Sequence, residues 1–170
     1  RRRREPGLNE RFSSGNQCKL LIAVHAAQFF RGNVTLRIKV PANFPGNAYW
    51  NVPGAGFGAK QGAAFTIANT TLNGDSLILK ITGPLTLGVA QNFIRVRISG
   101  TQVFVETTTN TGVAFTAQGT WAATFAVGNT MTAVANADGS VDVWRTAGAT
   151  TTYIGQSAPV AAFTGGGRIG

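Results

Sequence analysis

The chain has 170 residues, of which 44% are hydrophobic and only 12% charged, with a formal net charge of +9. That length suits one domain with a core large enough to need no staple; the single cysteine, Cys18, excludes an intrachain disulfide. No apolar run approaches the ~20 residues of a membrane helix, so no membrane insertion is expected. The charge is unevenly placed. Residues 1–40 carry nine Lys and Arg against Glu5 and Glu10, which gives +7, while residues 41–170 carry six against four acids, which gives +2. Basicity belongs to the amino-terminal part, and the rest is nearly neutral.

Residues 1–17 (RRRREPGLNERFSSGNQ) combine charge, Pro, Gly and Ser without an apolar period and read as a basic flexible arm. Arg1 to Arg4 ahead of the apolar stretch 20–30 have the order of a secretory signal. The polar stretch 9–17 separates the two, and His25 and Gln28 interrupt the second, which argues against it. The chain begins on Arg1 and ends on Gly170, and is expected to be part of a larger polypeptide. Residues 19–25 are apolar and β-branched. Residues 34–40 (VTLRIKV) alternate strictly, the pattern of a half-buried strand. Residues 41–62 are rich in Pro and Gly and predict a long loop carrying Tyr49, Trp50 and Phe57.

Further strands are expected over 63–68, 76–82, 92–98, 101–107, 113–117, 120–127, 130–136, 140–145 and 151–154. Short strands with turns every 8–12 residues indicate a sandwich or barrel. Two hairpins can be put in register. A Ser99-Gly100 turn pairs Val96 with Val103 and Ile94 with Val105, and on the other face Arg97 with Gln102, Arg95 with Phe104 and Phe93 with Glu106. An Asp138-Gly139 turn of type I′ pairs Asn136 with Val141 and Val134 with Val143. It sets Ala135 against Asp142 and Ala133 against Trp144 on the opposite face.

From residue 48 onward the chain resembles the concanavalin A-like (laminin G-like) jelly-roll domains of secreted bacterial proteins. The residues that carry this are Ala48-Tyr49-Trp50, Phe57-Gly58 with Gln61, Gly74-Asp75-Ser76 with the strand 77–81, and FIRVR at 93–97. With them go ANADGSVDVW at 135–144 and GGGRIG at 165–170. The resemblance implies two antiparallel sheets and an appended module that binds carbohydrate or mediates adhesion. It also implies a further strand after the arginine motif, inside which this chain ends. Residues 1–40 do not match the start of such a domain.

Catalysis finds little support. The acids are Glu5, Glu10, Asp75, Glu106, Asp138 and Asp142, with no pair on one strand face to act as acid and nucleophile. His25 has no Cys, His or carboxylate at metal-ligand spacing, and no serine elbow is present. His25 and Cys18 read as ordinary sheet residues. Sugar sites stack a pyranose on an exposed ring and hold its hydroxyls with Asp, Asn, Arg or Gln. Trp144 and Asp142 on one hairpin, and Arg95, Arg97, Gln102 and Phe104 on the other, have that chemistry. Packing of Trp144 against a neighbouring loop is the competing reading. Trp121 and Phe125 read as core, and Trp50 and Tyr49 as either a loop anchor or a binding edge. Calcium could use only Asp75 and Asp138, both explained by turn chemistry, so no cofactor is expected. A basic arm ahead of a jelly roll is also the layout of RNA-packaging coat proteins. The neutral body and the lack of aromatics among the arginines make nucleic acid an unfavoured partner.

The sequence therefore predicts an all-β, antiparallel two-sheet jelly-roll sandwich of concanavalin A-like type over residues 18–170, with 18–47 the least characteristic part. Its expected role is a non-catalytic, secreted or cell-surface module that binds a glycan or a protein partner. The alternative is a structural subunit that assembles through edge strands into a fibre or capsid, its arm contacting nucleic acid.

Overall fold

β-Branched residues recur along the chain, and their stiff side chains fit a pleated surface better than a helix. A computed structural model describes residues 20–23, 35–38, 57–68, 73–83, 91–110 and 112–170, with 20–23, 35–38, 73 and 74 described by backbone alone. The arm 1–17, Cys18, His25, Tyr49 and Trp50 lie outside these residues, as does most of 18–47.

The described residues form ten strands: β1 (Leu20–Ala23), β2 (Thr35–Ile38), β3 (Gln61–Thr66), β4 (Asn73–Thr82), β5 (Asn92–Ser99), β6 (Gln102–Thr108), β7 (Thr116–Ala122), β8 (Thr130–Ala135), β9 (Val141–Ala147) and β10 (Thr150–Gln156). β1 and β2 pair with each other. The others make two antiparallel four-stranded sheets: sheet I in the order β10-β9-β8-β3 and sheet II in the order β4-β5-β6-β7. One core joins them. Sheet I supplies Ala63, Phe65, Met131, Ala133, Ala135, Val141 and Val143; sheet II supplies Leu77, Leu79, Ile94, Val96, Ile98, Val103 and Val105. Each is at most 3% exposed, and burying a side chain of Val, Leu or Ile contributes roughly 1.5–3 kcal/mol. The protein is an all-β sandwich.

The nine strands expected from residue 63 onward fall on the eight strands β3 to β10, because two merge. Residues 113–117 and 120–127 were expected as separate strands, whereas β7 runs through Gln118 and Gly119. The register shifts there, so that Val105 faces Gly119 and Glu106 faces Ala117. A bulge absorbs what reads in sequence as a turn. Residues 123–127 leave the sheet, yet Phe125 still reaches the core and Trp121 packs against it.

Both hairpin registers are corrected. The β5–β6 turn is Gly100-Thr101, with Ser99 opposite Gln102. Gly100 has φ +58° at the first loop position, as a II′ turn requires. Each partner shifts by two residues, so the faces stay as expected: Arg97 meets Phe104, Arg95 meets Glu106 and Val96 meets Val105. The β8–β9 slip is by one residue and moves one strand to the other face. Asn136 N–H donates to Ser140 O (2.8 Å) and Gly139 N–H to Asn136 O (3.1 Å). The loop thus has three residues and ends on Gly139 at φ +84°. Ala135 meets Val141 and Ala133 meets Val143 in the core, while Val134 and Thr132 face outward opposite Asp142 and Trp144. The alanines expected beside Trp144 are interior residues.

β4 carries a second bulge. Between Leu79↔Ile94 and Thr82↔Asn92 one extra residue is accommodated, and Lys80 adopts φ +54°. Alternation would send Lys80 outward with Ile78. Instead its side chain enters the interior and is 1% exposed. The ammonium donates to Asn136 O and Phe163 O, both at 2.5 Å. Gln61 Oε1 accepts from Lys80 N–H (2.9 Å), and Gln61 Nε2 donates to Gly167 O (2.9 Å). Beyond this node the chain end lies along β4: Arg168 and Ile81 exchange backbone hydrogen bonds of 3.0 and 2.9 Å, Gly170 and Ile78 of 2.8 and 2.6 Å.

The Trp121 ring lies against two glycines, Gly119 of its own strand and Gly155 of β10. A methyl added at Gly155 would sit 2.3 Å from its Nε1. Gly155→Ala is therefore expected to expel the indole and lower stability by about 1–3 kcal/mol in urea unfolding, with a red shift of tryptophan emission. Unchanged stability would show that Trp121 does not close this side of the sandwich.

Candidate functional site

The outer face of sheet I is built by alternation along four strands. A row of threonines crosses it: Thr66 faces Thr130, Thr130 faces Thr146, and Thr146 faces Thr151. The hydroxyl pairs Thr66–Thr130 and Thr146–Thr151 are each 2.9 Å apart. The next row is Ala64, Thr132, Trp144 and Tyr153, and the one after is Gly62, Val134, Asp142 and Gln156. Asp142 is the one charged residue in these rows.

Two turns bring the polar and aromatic groups together. The Gly148-Ala149 turn sets Trp144 opposite Tyr153. The rings lie 5.6 Å apart at 58°, a tilted contact that stabilises both orientations. Trp144 is half-buried and Tyr153 is 53% exposed. The three-residue β8–β9 loop returns Asn136 toward Asp142, and Asn136 Nδ2 donates to Asp142 Oδ2 at 2.7 Å. Tyr153 O–H donates to Asp142 Oδ1 at 3.0 Å. Partial burial, then the Asp142 carboxylate, push the Tyr153 phenol above its usual pKa, so it remains a donor. Among the described residues each carboxylate oxygen accepts from one donor and has capacity to accept another. The arrangement is an aromatic platform beside an oriented acceptor.

The second expected group lies elsewhere. Arg95, Arg97, Phe104 and Glu106 occupy the outer face of sheet II, on the far side of the core from Trp144 and Asp142. Arg95 donates to Glu106 at 3.0 and 2.7 Å and Arg97 at 3.1 and 2.9 Å. Arg95 also stacks on Phe115 (3.5 Å to the ring centroid) and Arg97 on Phe104 (4.1 Å). Gln102 sits exposed at the hairpin end opposite Ser99. The six residues expected to bind thus form two separate patches.

Of the residues weighed for calcium, Asp138 accepts from Ser140 N–H (2.9 Å) and Ser140 O–H (2.7 Å), as its turn demands. Asp75 lies at an irregularity of β4, where burial raises its pKa. Among the described residues no three His, Cys, Asp or Glu are placed to hold a metal, and no helix is long and apolar enough to cross a membrane.

Sequence reasoning missed Tyr153 and Asn136. The signal for Tyr153 was present: a turn at Gly148-Ala149 pairs it with Trp144 by counting alone. Asn136 was lost to the one-residue slip. In comparisons with protein-family models, curated proteins and solved structures, the chain matches none.

Burial raises the Glu106 pKa, but the hydrogen bonds and charges of Arg97 and Arg95 outweigh it and hold the carboxyl below its ordinary 4.5. The unfolded chain therefore binds this proton more readily than the folded one. The stabilisation is complete above about pH 4.5 and is lost as pH falls through the lower folded value. Glu106→Gln should cost about 2 kcal/mol at neutral pH and flatten the acid limb of stability against pH. An unchanged acid limb would contradict this.

Proposed function

We propose that this protein is a non-catalytic, secreted or cell-surface binding module of concanavalin A-like type, and that it holds carbohydrate on the outer face of sheet I. The supporting observation is the fixed Asp142 carboxylate beside the Trp144–Tyr153 pair. The C–H face of a pyranose stacks on an aromatic ring, and its hydroxyls donate to an acceptor-only group such as a carboxylate. Asn136 and Tyr153 hold that acceptor in place before a ligand arrives, which reduces the ordering cost of binding. The threonine row continues the face with uncharged hydroxyls. The concanavalin A-like relationship draws support from the two packed antiparallel four-stranded sheets.

Arg95, Arg97, Phe104 and Gln102 are assigned no part in this site. They face the other way, and the guanidinium groups are committed to Glu106 and to aromatic rings.

The test is a titration with a panel of neutral oligosaccharides, read by tryptophan emission and calorimetry. At least one glycan should shift the emission of the natural protein. Trp144→Ala should weaken its binding more than tenfold, and Asp142→Asn about tenfold, the scale of one charge-assisted hydrogen bond. Absence of binding across the panel, or equal binding by Trp144→Ala, would overturn the reading.

A further inference from the structure

Each sheet has two lateral strands, and three of the four are protected. β4 is paired by the chain end through Arg168 and Gly170. β3 has β1 packed near it. β7 is interrupted by its bulge at Gln118, and its regular part, residues 119–122, includes Gly119 and Ala122, which are poor strand formers beside the Thr and Tyr of β10. Among the described residues, no strand pairs with the outer edge of β10 over its first part. Thr150, Thr151, Thr152 and Tyr153 are all exposed, and their pairing with β9 is regular until the shift after Tyr153. The segment TTTY carries no charge and no proline, and β-branched and aromatic residues favour the strand conformation.

We infer that β10 pairs antiparallel with β10 of a second copy, joining two sheets I into one eight-stranded sheet. An open strand edge presents unpaired N–H and C=O groups, and the same segment running in reverse satisfies them through a two-fold axis. Charge favours this edge for a self-contact. Copies of a chain with net charge +9 repel, and an interface between them must avoid like charges. Among the described residues the basic residue next to the exposed segment is Arg145, opposite Thr152, and it is tied back to Thr124 O at 2.7 Å. The two-fold axis stands perpendicular to the sheet, so the Trp144–Tyr153 faces of both copies look the same way. A four-residue ladder is small beside the roughly 1,200–2,000 Å² of a permanent interface, so the dimer is weak and forms at high concentration.

Sedimentation velocity of the full chain from about 10 µM to about 1 mM tests this. The mean mass should rise from one chain toward two and stop there, because a two-fold contact closes on itself. Added salt should strengthen association by screening the repulsion. Thr151→Lys and Thr152→Lys, exposed changes that keep the strand, should each weaken association at least tenfold, whereas Val113→Lys, at a position 80% exposed in the β6–β7 loop, should not. Three outcomes would overturn the proposal: a monomer throughout, lysine variants that associate as the natural chain does, and association that weakens with salt or grows past two chains.

Discussion

Lys80 carries a charge into an interior built mainly from Leu, Ile, Val, Phe, Met and Ala, with Gln61 beside it. An ammonium removed from water is stable only where acceptors replace its hydration, and here two backbone carbonyls do so, Asn136 O and Phe163 O. The burial lowers its pKa, opposed by the charge of Asp138. Three separate pieces of chain therefore have to meet: the β4 bulge, the β8–β9 loop and the turn at Ala161–Phe163. Gln61 extends the node to Gly167 and so to the segment that pairs with β4. The left-handed backbone at Lys80, which costs a non-glycine residue about 1–2 kcal/mol, is retained because the bulge is what aims the side chain inward.

The same node reaches the candidate site through the wall of the sandwich. The Asn136 carbonyl is held from inside by Lys80, while its side-chain amide holds Asp142 on the outer face. The acceptor beside Trp144 is thus anchored to the core through one residue. By contrast, the Arg95–Glu106–Arg97 cluster satisfies itself on the opposite face. Its pairing with two aromatic rings makes a rigid surface rather than an open one.

Much of this was legible because alternation has a period of two and survives small errors. The β5–β6 turn was misplaced by one residue, yet shifting each partner by two leaves Val96, Val103 and Val105 inside and Arg95, Arg97 and Phe104 outside. Slippage by one residue at the β8–β9 loop had larger consequences. It misplaced Val134, Ala133 and Ala135, although Trp144 and Asp142 kept their outward side because β9 was read correctly by itself. Loop length decided the difference: Asp-Gly suggests a two-residue turn, whereas the chain uses three residues ending on a left-handed glycine. Lys80 was not legible at all. A lysine among Leu77, Ile78, Leu79 and Ile81 reads as an outward residue, and only the register shift against β5 reverses it.

The most direct test of the account is urea unfolding of Lys80→Met at neutral pH. Methionine fills the space but leaves Phe163 O without its donor and Asn136 O with Gly139 N–H alone, so stability should fall by about 1–3 kcal/mol. A variant as stable as the natural protein, or more so, would mean that the buried ammonium does not hold the sandwich together.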